Sequence, residues 1–189
     1  KKIAQGRYLG EVLSWKFYMA KSDSFFIRAE LTTDNSNSFV QTTIPLGSYV
    51  DALGQAVLRV HGIEYEWIAE DGDSPTMAGD AASQACFQIT TQSQTALISL
   101  FDKSMVAKGQ LWARNPDSAV GVPAQTYNDS HSPQDFTNGY LVAVETLYLV
   151  GKAGSQWTAA DNLKVAVVME CTVEKMSQSA AMALALSQQ

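Results

Sequence analysis

The run Tyr140-Leu-Val-Ala-Val-Glu-Thr-Leu-Tyr-Leu-Val150 is followed, across Gly151-Lys-Ala-Gly-Ser-Gln-Trp157, by Leu163-Lys-Val-Ala-Val-Val-Met-Glu-Cys-Thr-Val173, and these two runs decide the fold. In an extended chain successive side chains point to opposite faces. Along the first run Tyr140, Val142, Val144, Thr146, Tyr148 and Val150 share one face, and Leu141, Ala143, Leu147 and Leu149 share the other, broken only by Glu145. Along the second, Leu163, Val165, Val167, Met169, Cys171 and Val173 share one side, while Lys164, Glu170, Thr172 and Glu174 fall mainly opposite. Helical spacing would scatter these residues around a cylinder, and their β-branched content favours strand. The expectation is a strand over 140–150 covered on both faces, beside a strand over 163–173 that is solvated on one.

The same period recurs outward from there. Residues 8–19 alternate Leu13, Trp15, Phe17 and Met19 against Ser14, Lys16 and Tyr18, and residues 25–31 alternate Phe25, Ile27, Ala29 and Leu31 against Arg28 and Glu30. Lys21-Ser-Asp-Ser24 between them has turn chemistry, so the two read as a hairpin. Residues 39–44 form a short strand ended by Pro45, which has no N–H to give to a ladder. After a helical turn or irregular loop over 47–55 comes a strand over 56–68, whose apolar residues change face near Gly62 and so require a bulge or sharp bend there. A loop over 69–84, a strand over 86–91 and shorter strand candidates at 96–101 and 109–114 follow.

Residues 115–136, with Pro116, Pro123 and Pro133, read as a long outward-facing loop, and loops of that length in compact domains usually carry contacts. From Ser177 the chain turns to Ala, Met, Leu, Ser and Gln, with Ser177 or Ser179 placed to cap a helix. Met182, Leu184 and Leu186 also fit strand alternation. A helix this short is marginal alone, so it should dock on its own domain or on a neighbouring copy. About eight strands without alternating helices make the chain all-β: a single eight-stranded antiparallel jelly-roll sandwich over 1–176, with a short, helical C-terminal tail over 177–189.

Composition bounds the function. The 189 residues suit one domain, and 46% apolar with 17% charged gives core to bury and too little charge for disorder. A net charge of -6, with Lys and Arg spread along the chain, leaves no basic face for phosphate backbones. No apolar run approaches the roughly 18 residues of a spanning helix. Cys86 and Cys171 lack metal or redox spacing and read as buried free thiols. His61 and Glu64 point to opposite faces of a strand, so His61 reads as structural.

His131 between Asp129 and Asp135 resembles a hydrolytic or metal cluster only as far as any polar loop does. Asp71-Gly-Asp73 with Asp80 lacks the EF-hand spacing and reads as an acidic turn. Glu64 and Glu66 share a face, as paired carboxylates of a glycosidase do, and as acids on any solvated strand do. Asn128-Asp-Ser130 is a formal glycosylation sequon. No catalytic, cofactor-binding or metal site is expected, and no enzyme.

Three stretches carry a resemblance: Thr42-Thr-Ile-Pro-Leu-Gly47 leading into Val57-Leu-Arg-Val-His-Gly-Ile-Glu-Tyr-Glu-Trp67, then Gly139-Tyr-Leu-Val-Ala-Val-Glu-Thr-Leu-Tyr-Leu149, and the strand over 163–173. In layout the chain resembles viral jelly-roll capsid proteins. The resemblance implies a shell subunit in the virion, without an active site or cofactor, whose partners are copies of itself and other capsid proteins. Subunit contacts are expected at Met182, Leu184, Leu186, Trp157 and Tyr127, and host-surface contact at the loop over 115–136. Many such coat proteins carry an Arg-rich arm; here only Lys1-Lys2 and Arg7 cluster, so either a basic segment precedes residue 1 or packaging relies on another protein or an inner membrane, and direct nucleic-acid contact is not the expectation. The other reading is a carbohydrate- or surface-binding β-sandwich in which Trp112, Trp157 or Tyr127 stacks on a sugar ring.

Overall fold

The computed structural model describes residues 22–51, 53, 55–77, 79–116, 124–157 and 162–189, with backbone only over 124–130. The strand expected over 8–19 lies outside the described residues. Among the described residues nine strands form: β1 (Phe25–Thr33), β2 (Val40–Pro45), β3 (Ala56–Ala69), β4 (Ala81–Thr90), β5 (Met105–Asn115), β6 (Ala124–His131), β7 (Tyr140–Val142), β8 (Thr146–Ala153) and β9 (Leu163–Lys175). One helix, α1 (Gln178–Ser187), follows. All the ladders are antiparallel, in a four-stranded sheet ordered β1-β9-β3-β7 and a five-stranded sheet ordered β2-β8-β4-β5-β6. Two facing sets of four, β1-β9-β3-β7 and β2-β8-β4-β5, with the chain passing back and forth between them, make a jelly roll. The ninth strand, β6, extends the second sheet beyond β5.

Alternation produces the core directly. Leu163, Val165, Val167, Met169 and Cys171 of β9 meet Leu147 and Leu149 of β8, Phe87 and Ile89 of β4 and Leu111 of β5, all buried. In β3 the register slips between Val60 and Gly62, leaving His61 as the extra residue. That bulge lets Leu58 and Val60 before it and Ile63 and Trp67 after it all face inward, as the change of face at Gly62 requires. Gly109 is needed by packing: a Cβ there would lie 2.7 Å from the Phe87 ring and 2.8 Å from that of Tyr65.

Four expectations are corrected. The run over 140–150 is two strands in different sheets, separated by 143–145. Its two apolar faces arise because β7 is covered outside by α1 and β8 by the β4–β5 connection, and not from one doubly covered strand. The strand expected at 86–91 begins at Ala81, because its small and polar first half is held between β5 and β8, and 96–101 is loop. Residues 115–136 are not one loop: β6 pairs with β5 along 124–131, and a 3-10 turn, Pro133–Asp135, follows. Finally, β9 is not solvated to its end, since Thr172 and Glu174 on its outer face are buried.

Candidate interaction surface

One end of the sandwich gathers the β2–β3, β4–β5 and β7–β8 connections with the C-terminal helix. The registers place them together: Pro45 lies opposite Thr146, Thr90 opposite both Tyr148 and Met105, and Ala56 opposite Lys175. Helix α1 starts at Ser177, whose hydroxyl accepts the Ala180 N–H at 3.4 Å. Its ten residues would be marginal alone, and docking stabilises them: Ala181 packs on Val57 and Ala143, with Leu184 and Ala185 beside Leu141. Small alanines let the helix approach the outer face of the sheet closely.

Beneath this end, Glu174 is 1% exposed and receives a two-point hydrogen bond from Arg59, with Nε and Nη2 each at 2.7 Å from a carboxylate oxygen. Arg59 also donates to the Asn138 carbonyl. The Glu174 hydrogen bond, ahead of the opposing effect of burial, holds the Arg59 guanidinium above its ordinary pKa.

The end of the tail is plugged into the sandwich by Gln188. Its Oε1 accepts the Ala143 N–H at 2.9 Å and its Nε2 donates to the Leu141 carbonyl at 2.6 Å. Its own carbonyl accepts from the Thr91 hydroxyl at 2.8 Å and from Gln92 Nε2 at 3.3 Å. Lys103 donates to the Gln189 carbonyl. Two further glutamines fasten the β4–β5 connection to the outer face of the second sheet. Gln88 exchanges a pair of hydrogen bonds with the backbone of Ile98, at 2.8 and 3.0 Å, and Gln41 bonds Ser93 and the Gln94 N–H, each at 2.8 Å.

Apolar side chains face solvent at this end. Phe101 is 99% exposed, Leu53 71%, Leu186 67% and Phe26 55%, with Leu100, Met182 and Tyr49 also exposed. Of the nine large apolar residues exposed among the described residues, only Trp112 and Phe136 lie away from this end. Scattered exposed apolar residues need no explanation, but their concentration at one end does.

The expected contact residues divide. Met182 and Leu186 face solvent at this end, whereas Leu184 is half-buried against the sandwich. Trp157 is 2% exposed, in the core and bridged to Met77; it is closed to a surface contact and to stacking on a sugar. Tyr127 stands on β6, opposite Leu111, with its side chain outside the described residues. Trp112 is half-exposed on β5, beside a shallow groove with Gln84, Ser155 and Gln156. Phe26, Leu53, Leu100 and Phe101 were not singled out from sequence. The available signal was the Leu100-Phe101 pair directly before Asp102-Lys103.

The candidate chemical groups sit apart. His61 bonds Thr172 Oγ1 at 3.0 Å, a structural tie across the bulge. His131 leans on Phe136 with ring centroids 5.0 Å apart, and burial, followed by Lys108, lowers its pKa against the opposing pull of Asp135. Asp71 accepts the Asp73 N–H at 3.0 Å and so closes its own turn. Glu64 and Glu66 are exposed on β3. Among the described residues no group of three or more His, Cys, Asp or Glu is placed to hold a metal, and no helix is long and apolar enough to cross a membrane. Both cysteines are free; burial raises the pKa of Cys86, and burial followed by Glu170 pushes Cys171 up to about 12.

No family model matches this sequence, and no curated protein does. Among solved structures the chain is similar to VP1 of Trichodysplasia spinulosa-associated polyomavirus, solved in complex with GM1 oligosaccharide. That match is 10% identical, covers 80% of this chain and 95% of that one, and has a TM-score of 0.40. The chain is also similar to desmodium yellow mottle tymovirus, at 8% identity over 93% of this chain and 95% of that one, with a TM-score of 0.35. These structural neighbours are viral capsid proteins.

Proposed function

We propose that this chain is a structural protein: a self-assembling subunit of an icosahedral viral shell, resident in the virion, with copies of itself as its first partners. The observation that carries the reading is the apolar end of the jelly roll. A β-sandwich of this kind is used for virus shells. Here Gln41 and Gln88 hold the β4–β5 connection and Gln188 the tail, while Phe101 and Leu186 on those two segments stay uncovered. A held backbone matters, because a segment that is already ordered loses less conformational entropy on association. Such a role asks nothing of an imidazole or carboxylate, in keeping with His61 and Asp71 being occupied by local hydrogen bonds. The net charge of -6 favours protein contacts over direct contact with a genome.

The test is light scattering across a concentration series, with negative-stain electron microscopy of the same samples. Association that rises with concentration and yields closed particles of uniform size is expected. A monomer persisting at high concentration, with no particles on the grid, would overturn the reading.

A further inference from the structure

At the apolar end a projection and a groove lie side by side. The projection is Phe101, 99% exposed in the β4–β5 connection. Its turn is closed by hydrogen bonds: the Asp102 N–H donates to the Ser99 carbonyl at 3.0 Å, and the Ser104 N–H and hydroxyl donate to Asp102 Oδ1 at 2.9 and 2.7 Å. The groove, of about 510 Å³, is lined by Tyr140 and Leu141 of β7 and by Leu184 and Ser187 of α1, with Arg59 and Lys103 also in its wall. Tyr140, Leu141 and Leu184 are each half-buried, so part of their apolar surface still meets water.

We propose, resting on the self-association put forward above, that the groove of one copy receives Phe101 of a second copy, while the groove of the second receives Phe101 of the first. The ring does not fill its own groove, since at 99% exposure it touches almost nothing on its own chain. The charges match this occupant. Asp102 is exposed beside Phe101 and arrives with the ring, and Lys103, exposed in the groove wall, meets it with the opposite sign. An ammonium has three donors, and the bond from Lys103 to the Gln189 carbonyl uses one of them. Arg59 is already engaged by Glu174.

The two-fold symmetry follows from spacing. Lys103 is two residues from Phe101, so projection and groove wall lie within about 7 Å along the backbone. A head-to-tail ring requires its two complementary patches on different faces of the subunit. With the patches adjacent, seating one ring brings the second copy's groove over the first copy's Phe101, and an axis between them lets both seat together. A change to either patch then acts twice in each dimer.

Sedimentation velocity of the full chain tests this, with urea unfolding of each variant alongside. Phe101→Ala removes the projection and Ser187→Trp fills the groove. Both sites are exposed, so the unfolding midpoints should stay at the parent's. The smallest associated species of the parent should be a dimer. Each variant alone should dimerise at least tenfold more weakly, whereas an equimolar mixture should dimerise about fivefold or more tighter than either variant. In the mixed pair one native contact remains, and the filled groove faces the truncated residue. Only folded chains can show that recovery. A trimer or larger ring as the smallest species overturns the proposal, as does a Ser187→Trp chain that dimerises like the parent or a mixture no better than its components. Dimers with the expected pattern but no particles would uphold this contact and remove the closed shell; particles formed equally well by both variants would do the reverse.

Discussion

The tail is held chiefly by Gln188, and Gln188→Ala measures how much that contact contributes. The side chain is 3% exposed and makes two hydrogen bonds to the backbone, to the Ala143 N–H and the Leu141 carbonyl, at the corner where the chain leaves the first sheet for the second. Truncation leaves both groups without that partner. Ala143 is 2% exposed and Leu141 is half-buried, so water reaches them poorly. A buried donor or acceptor left unpaired costs about 1–3 kcal/mol, so the two groups together should lower stability by roughly 2–6 kcal/mol.

The main-chain bonds of Gln188 to Thr91 and Gln92 survive the substitution, which keeps the loss below that of removing the whole tail. Urea unfolding followed by circular dichroism is the assay. The midpoint should fall at unchanged slope, because the surface exposed on unfolding is unaltered. Gln188→Glu should be at least as damaging, since a carboxylate can accept from Ala143 but cannot donate to Leu141. A loss under about 0.5 kcal/mol, the scale of an ordinary surface change, would refute the view that the tail is locked into its own domain.

Phe101→Asp and Leu186→Asp should leave the unfolding midpoint within about 0.5 kcal/mol of the parent while weakening self-association at least tenfold in light scattering. Unchanged association would remove the apolar end as the contact surface. Gly139 has φ +63°, and a Cβ there would lie 2.3 Å from the Val60 carbonyl oxygen, so Gly139→Ala should cost about 1–3 kcal/mol by thermal or urea unfolding. With its thiol pushed up to about 12, Cys171 should resist iodoacetamide at pH 8 in the native protein and react once unfolded. For His131 the folded pKa lies below the ordinary 6.5, so its contribution to stability is full above that value and is lost as pH falls below it. An NMR titration should show its midpoint below 6.5, and a midpoint above it would contradict the burial against Phe136.

Strand period, Pro45 as a strand end, the bulge beside Gly62 and the Ser177 cap were all legible in the chain, because each depends on a residue's own geometry or on its nearest neighbours. Alternation likewise determined that the molecule is a two-layered β structure. Partner choice is different in kind. The break at 143–145 cannot be read from alternation, since two consecutive strands in different sheets and one long strand present the same pattern of side chains. The pairing of Ala81–Thr90 and Ala124–His131 with β5 draws small and polar residues into ladders through backbone bonds that carry no sequence signal.

Tertiary structure also decided which side chains remained uncovered. Trp157 and Phe101 are both large aromatics in connections, yet one is 2% exposed and the other 99%, because Trp157 is bridged to Met77 and packs in the core while the β4–β5 connection is pinned to the outside by glutamines. Glu174, read as solvated, is buried against Arg59 at the end that α1 covers. A residue's chemistry is local, but its exposure is set by what the rest of the chain lays over it, and that is known only once the layers are assembled.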